Sequence, residues 1–437
     1  MDKQKNLGRG VLSNVFANGI LQFLNYAFPV LTLPFLGSAI GLEEFGVVNF
    51  FSVLVGYFTL FVIYGFDASA TRKVPELEDD FKKMNLFFVE IQSSKVLLLI
   101  LAFIVFSLLI LIIPEGIDNY KVALATFGVT AGWALMPNWF VQGIRRMSDL
   151  VWINIIPKAI FLGLVFLTIK SKEDSYLYPL FISLSIVICA LLSIIYLKFR
   201  LNISPRIRFN KSVLIRIWQE RLVFFSSFVN NFNQTIGIIF LGFFVTYSEV
   251  GVFSLGWRMM NIIQVLVSIP ILQALYPVLG SQLRSDLKSG TKVLNESIPL
   301  ILVFIFSCSS FLWGTSPWLI QFFFGEEFME SVGIYRWLSI IPLISVFNHL
   351  MGSSFLLNLG YDKEVLRVTI WVSILAVSLN LFLIWNYGLK GAIISIIITE
   401  LILFLFYNAV IKKLGFNFWR FSAWKLKVPQ LKKNDGA

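Results

Sequence analysis

Neutral amides recur along the start of the chain at helical spacing. Asn14, Asn18, Gln22 and Asn25 stand at i, i+4, i+8 and i+11, which places them on one face at about 100° per residue. A second set lies in residues 222–246, with Ser227, Asn230, Asn231 and Gln234. A third lies in 250–280, where Ser254, Arg258, Asn261 and Ser268 are spaced i, i+4, i+7 and i+14. Amides and hydroxyls both donate and accept hydrogen bonds, so these faces suit a hydroxyl-rich ligand. Arg258, Lys158 and Lys95 are isolated cations in apolar runs, and they suit an oxyanion. Asp67 and Glu400 are placed where a carboxylate can carry a proton or a sodium ion.

Other chemistries find little to work with. His349 is the only histidine, which removes the main residue of histidine metal sites and of triads with a histidine base. Nothing matches G-x-x-x-x-G-K-[ST], which argues against an ATP-driven pump. Cys189 and Cys308 lie in apolar runs and read as buried hydrophobic residues, with no disulfide or metal. No catalytic residue, cofactor or metal is expected.

The elements that carry these residues are apolar throughout. The chain of 437 residues is 57% hydrophobic and 14% charged, with a mean hydropathy of +0.80. A hydrocarbon core about 30 Å thick needs roughly 20 apolar residues per helix. That criterion predicts twelve spans, near 11–36, 45–66, 86–113, 119–142, 151–169, 176–197, 222–246, 250–280, 297–324, 332–358, 367–386 and 390–411. The first is too long for a removable signal peptide and lacks a small-residue cleavage site. Of the 36 Lys and Arg, 28 fall at the N-terminus, in the C-terminal tail, or in and beside the gaps after even-numbered spans. Only Lys121, Lys170, Lys172 and Lys390 fall on the other side. Cytosolic loops are rich in Lys and Arg, so both termini are expected in the cytosol. The net charge of +11 is then topology, not nucleic-acid affinity.

The predicted fold is all-α and integral to the membrane. A six-helix bundle at 1–198 is followed by a basic linker at 199–221, a second six-helix bundle at 222–412 and a basic tail at 413–437. An even number of spans per half makes the halves parallel repeats. Short echoes support this: Glu44-Phe45-Gly46-Val47 follows span 1, and Glu249-Val250-Gly251-Val252 follows span 7. Likewise Gly143 and Gly360 open the loops after spans 4 and 10.

Polar faces turned to lipid are costly, so the stripes are expected to line a shared aqueous cavity. Interhelical hydrogen bonding as packing is the alternative. Arg258 lies nine residues from Glu249, or about 14 Å along a helix, near the bilayer midplane. A cation there costs about 2.5–3.5 kcal/mol on insertion scales and needs a partner or a ligand. A structural ion pair is the competing account of Arg258, Lys158 and Lys95. Arg336 is near an outer end and can snorkel. Prolines at 29, 34, 157, 270 and 277 favour kinks within spans.

Two segments resemble hallmarks of Wzx-type polysaccharide flippases: Gly65-Phe66-Asp67-Ala68-Ser69-Ala70-Thr71-Arg72, and Pro137-Asn138-Trp139-Phe140-Val141-Gln142-Gly143. Gly251-Val252-Phe253-Ser254, Pro270-Ile271-Leu272-Gln273-Ala274-Leu275-Tyr276-Pro277 and Gly325-Glu326-Glu327-Phe328 add to the likeness. One departure is Ile144-Arg145-Arg146-Met147, where relatives place an acidic residue near Arg145. The resemblance implies the multidrug/oligosaccharidyl-lipid/polysaccharide exporter superfamily, with two bundles around a V-shaped cavity. It implies movement of a polyprenyl-pyrophosphate-linked oligosaccharide across a bacterial inner membrane, as in O-antigen and lipopolysaccharide synthesis. Candidate partners are membrane lipids, a polysaccharide polymerase and a chain-length regulator.

The expected mechanism is alternating access, with Arg258, Lys158 and Lys95 on the pyrophosphate, the amides on the glycan, and Arg72 at the cytosolic gate. Potential can drive it, at about 2.3 kcal/mol per charge per 100 mV. Proton or sodium coupling through Asp67 or Glu400 is the alternative drive. Rival readings are a lipid II flippase, a drug exporter, a membrane polymerase or glycosyltransferase, and an assembly scaffold. Enzymes of that kind usually present a large catalytic loop, and every external gap here is short. The Asp79-Asp80 pair, beside Lys82 and Lys83, reads as a solvated charge run.

Overall fold

The computed structural model describes residues 2–113, 116–264, 275, 279–283 and 287–415, with side chains from Leu31 onward except 226–227, 229–234, 263 and 287–289. All regular elements among them are helical. They form two compact units: Met1–Thr235 with Thr246–Gly251, and Ile236–Val245 with Val252–Ala437.

Helix α1 (Asp2–Ile63) carries the first two predicted spans, broken at Gly41 with φ 78° and ψ 173°. Only glycine adopts that conformation freely, so the chain changes direction within a single residue. After α2 (Phe66–Lys73) come α3 (Phe81–Ile110) and α4 (Tyr120–Leu135). The predicted span 119–142 is not one helix. Met136 is extended at ψ 120° because Pro137 follows it, and the chain resumes as α5 (Asn138–Gly143). Helices α6 (Val151–Thr168) and α7 (Leu177–Leu201) follow, and the unit continues to Thr235. Gly128 and Gly132 let α4 and α7 approach closely. A Cβ on Gly132 would lie 2.6 Å from Ile186 Cγ2, and one on Gly128 2.8 Å from Ser183 Cβ. Lipid offers helices no hydrophobic drive to associate, so small residues that admit close packing take over that role.

Helix α8 (Lys211–Phe244) begins well before the predicted span at 222, so the second part of the expected linker is helical. Its companion α9 is Tyr247–Ile263; Ser268, Pro270 and Pro277 lie outside the described residues. Helix α10 is Leu287–Phe324. The predicted span 332–358 is a broken pair, α11 (Glu330–Leu338) and α12 (Ile341–His349), bent by 42°. Pro342 in the first turn of α12 supplies the break, since it cannot continue a preceding helix. A π-helical segment, Leu350–Leu356, continues α12.

Helix α13 (Asp362–Lys413) repeats the device of α1. Gly388, at φ 53° and ψ −129°, divides its 52 residues. A Cβ on Gly391 would lie 2.0 Å from the Leu383 carbonyl oxygen. Eight residues of straight helix rise about 12 Å, so the two arms must fold back on each other there. Either arm is long enough to cross about 30 Å of hydrocarbon. Six described helices are long and apolar enough to span a membrane, or seven counting the bent pair. In the second unit, Leu279, Leu294, Ile298, Met351, Phe355 and Val372 form the buried core.

Candidate functional site

The structure joins the two hallmark segments of the first unit. Pro137 ends α4 early, leaving its last carbonyls without helical donors. The ammonium of Lys95, on α3 and fully buried, takes up that position. It lies 3.5 Å from the carbonyl oxygens of both Trp133 and Met136, and 2.8 Å from Asp67 Oδ1. Asp67 sits in the first turn of α2, where the helix dipole favours a negative charge. Its side chain remains 36% exposed. One turn before Lys95, Gln92 donates to the Ala134 carbonyl at 2.8 Å. Thr71 donates to the Trp139 carbonyl at 3.1 Å, and a Cβ on Gly143 would lie 2.6 Å from Val74 Cβ. Residues 65–72 and 137–143 are thus one packing unit around a buried cation.

Two residues with separate sequence-based roles, Lys95 for a ligand and Asp67 for an ion, are therefore partners. Their geometry matches the ion-pair alternative held open for Lys95. Arg72 is exposed on the last turn of α2, its Nε 3.3 Å from the Ala68 carbonyl oxygen.

The basic segment before α8 is strapped onto α3. The Ser204 amide donates to Asn85 Oδ1 at 2.8 Å and the Arg208 amide to Ser93 Oγ at 2.9 Å. Arg216 pairs with Glu90 at 2.9 Å and stacks over the Phe87 ring. Sequence reasoning missed Glu90; the signal was a lone acid at the inner end of an apolar run, with six cations in the linker at 199–221.

Asn14, Asn18, Gln22 and Asn25 ride on the first arm of α1, and Asn231 and Gln234 on α8. Those arms are helical, so the spacings place each set on one helical face; their side chains lie outside the described ones. Lys158 is half-buried on α6, just after the internal Pro157 and one turn beyond buried Asn154. The Asn154 carbonyl accepts from Cys189 Sγ at 3.7 Å. On α9, Arg258 is half-buried, Ser254 is buried, and Asn261 Nδ2 donates to the Trp257 carbonyl at 3.2 Å. Helical geometry thus puts Ser254, Arg258 and Asn261 on one side of α9.

Glu400, on the second arm of α13, has an amide partner. Asn348 Nδ2 donates to Glu400 Oε2 at 2.6 Å and lies 3.1 Å from the Glu400 carbonyl oxygen. No cation is paired with Glu400 among the described residues. Asn348 is 5% exposed and stands just ahead of the π segment, a geometry common at functional positions. The Tyr407 ring, two turns past Glu400, lies where a Cβ on Gly352 would come within 2.9 Å. Asn348 was missed in the sequence because one asparagine in an apolar run carries no spacing signal.

Comparison with known proteins agrees with this architecture. The profile of the family described as polysaccharide biosynthesis protein matches residues 11–283. An Escherichia coli (strain K12) protein named as an O-antigen transporter is 24% identical over 387 residues, covering 89% of this chain and 93% of the relative. A Haloferax volcanii protein named as the low-salt glycan biosynthesis flippase Agl15 is 22% identical over 403 residues, covering 90% and 80%. Among solved structures, the lipid II flippase MurJ in an inward closed conformation aligns with a TM-score of 0.69 at 15% identity, covering 91% of this chain and 87% of that one. An inward-facing multidrug resistance MATE family transporter of the MOP superfamily aligns at 0.64 with 16% identity, covering 90% and 98%. With its profile matched over more than half the length, the chain belongs to the polysaccharide biosynthesis protein family, on the all-helical fold shared by MOP-superfamily transporters.

Proposed function

We propose that this protein is a flippase. It moves polyprenyl-pyrophosphate-linked oligosaccharide repeat units from the cytosolic to the outer leaflet of a bacterial inner membrane by alternating access. The observation that carries this reading is Arg258, half-buried in an apolar helix with Ser254 and Asn261 on the same side. A guanidinium binds a pyrophosphate through charge-assisted hydrogen bonds, and the neutral groups beside it match sugar hydroxyls. Relatives named as an O-antigen transporter and a glycan flippase support the substrate class.

In this reading the twelve spans place both termini in the cytosol, in two bundles at 1–198 and 222–412. Lys158 assists Arg258, the amide faces of α1 and α8 hold the glycan, and Arg72 guards the cytosolic mouth. Glu400, held by Asn348, is the site for a coupling proton or sodium ion. Lys95 positions Asp67 and the inner ends of α2, α4 and α5. A polysaccharide polymerase and a chain-length regulator are the partners that receive the product.

The test is flipping in proteoliposomes, with a polyprenyl-pyrophosphate oligosaccharide and an imposed potential of either sign. Translocation that follows the potential and vanishes in Arg258→Ala supports the proposal. Transport of lipid II but not of the oligosaccharide carrier transfers the assignment to lipid II, and transport of neither overturns it.

A further inference from the structure

The one histidine of the chain stands where the helical winding changes. His349 closes α12, and the π segment Leu350–Leu356 starts at the next residue. From 341 to 356, only His349 and Ser353 are exposed. They are four residues apart and share one side of the helix. Both are polar, which sets this face apart from one turned to lipid. On α3, every exposed residue from 87 to 110 is apolar: Ile100, Leu101, Phe103, Ile104, Val105 and Leu108. An imidazole and a hydroxyl as the open positions of an apolar run therefore mark a face that meets water. Protein atoms crowd around the imidazole even so, as they do in a recess and not at an outer rim.

The helix that presents this pair is pinned on two sides. Gln264, just beyond α9, donates to Ser345 Oγ at 2.9 Å, one turn before His349. Asn348 ties the same turn to α13 through Glu400. Ser331 of α11 donates to the Val252 carbonyl at 2.8 Å, so α9 and the α11–α12 pair run side by side in the same direction. Arg258 is six residues before Gln264, and His349 is four after Ser345. The two are therefore about 15 Å apart in level along the helices.

Hydrogen bonds act over about 3 Å, so a pyrophosphate held by Arg258 does not reach His349. What suits His349 and Ser353 is a neutral, hydroxyl-rich group. A neutral imidazole offers one N–H donor and one ring-nitrogen acceptor, and a seryl hydroxyl plays both roles. Neighbouring hydroxyls of a sugar ring present the same mixture. Pinning by Gln264 and Glu400 holds the pair in place before a ligand arrives, which lowers the ordering cost of binding.

We infer that His349 and Ser353 form a saccharide-binding station that helps to select the glycan. The inference rests on the flippase reading above and names the residues that read the sugars. In the orientation proposed there, α12 runs from outside to inside, so the station lies on the cytosolic side of Arg258. That is where the saccharide extends when its pyrophosphate has entered from the cytosol.

A single histidine makes the test specific. Diethyl pyrocarbonate converts an accessible imidazole to a carbethoxy derivative with its own ultraviolet absorbance. Purified protein with a histidine-free affinity tag is treated in detergent, alone or with a polyprenyl-pyrophosphate oligosaccharide. His349 is expected to react, and the reaction to be slowed by the oligosaccharide carrier but not by sugar-free polyprenyl pyrophosphate. Equal slowing by both assigns His349 to the pyrophosphate, and an imidazole that never reacts lacks the open face; either result overturns the station. Tryptophan fluorescence follows carrier binding in parallel. Binding without protection overturns the station alone, whereas no binding removes the flippase reading with it. His349→Ala is expected to bind the oligosaccharide carrier about 2- to 10-fold more weakly, the loss of a hydrogen bond, with unchanged affinity for the sugar-free carrier. His349→Gln, which keeps a donor and an acceptor, is expected to recover part of that loss. An alanine variant that binds the oligosaccharide carrier like wild type, or loses both carriers equally, also overturns the station.

Discussion

Neutralising Asp67 probes the joint between the hallmark segments most directly. Asp67→Asn keeps the size of the side chain but strands the Lys95 ammonium, fully buried with two carbonyl oxygens at 3.5 Å. Removing one partner of a fully buried pair costs about 3–5 kcal/mol. The Asp67 side chain is 36% exposed, so water screens part of the interaction and the expected cost falls to about 2–3 kcal/mol. The reverse change, Lys95→Met, leaves a carboxylate that can turn to water and should cost only about 1 kcal/mol. The double variant removes both charges and should recover most of the Asp67→Asn loss, because neither charge is then stranded. Thermal unfolding of the purified variants in detergent gives the ordering: wild type highest, Asp67→Asn lowest, the double variant clearly above it. An Asp67→Asn midpoint equal to wild type, or a double variant lower than either single, would refute the buried-pair reasoning.

Four other outcomes are expected. Arg258→Ala should still insert yet lose flipping in proteoliposomes; retained flipping would show that the pyrophosphate is held elsewhere. Glu400→Gln keeps a hydrogen-bonding partner for Asn348 but cannot carry charge, so any dependence of transport on a proton or sodium gradient should disappear while stability changes little. Gly132→Leu would drive a side chain into Ile186, already 2.6 Å from where a Cβ would stand. It should cost at least about 1–3 kcal/mol by overpacking, seen as lower yield of folded protein. Asp80 caps α3 by accepting from the Lys83 amide at 3.1 Å, and that bond, aided by the Lys83 ammonium, holds its carboxyl below the usual carboxylate range. A lowered folded-state value means its stabilisation is present at neutral pH and lost as pH falls through that lowered value. Protection of the amides at the start of α3, corrected for intrinsic exchange, should fall at low pH in wild type and be low already at neutral pH in Asp80→Ala.

The sequence alone determined the class of molecule and the general course of its helices. Hydropathy reports the solvent around a helix, and lipid imposes a long, unmistakable apolar run. Those runs located the arms on either side of Gly41 and Gly388, where a single glycine makes the turn. The hallmark segments carried the family, because local motifs survive when overall identity is near 24%. The sequence also marked Arg258, Lys95, Asp67 and Glu400, charges deep in apolar runs or in a hallmark segment, but passed over Glu90 near the end of its run.

Pairing was decided only in three dimensions. Nothing in the spacing of 28 residues between Asp67 and Lys95 reveals that Pro137 cuts α4 short and frees two carbonyls for the same ammonium. Asn348 became visible only as the partner of Glu400, 52 residues away. Breaks at Met136–Pro137 and before Pro342 fell inside predicted spans, because an apolar run keeps its hydropathy whether or not its helix is continuous and only the two prolines marked them. The echo of Gly46 and Gly251 was legible as repetition, but that each would rest on backbone beside the other was a matter of tertiary approach. Composition along the chain records which solvent each segment meets; only the fold brings distant donors and acceptors within the 3 Å or so over which hydrogen bonds and ion pairs act.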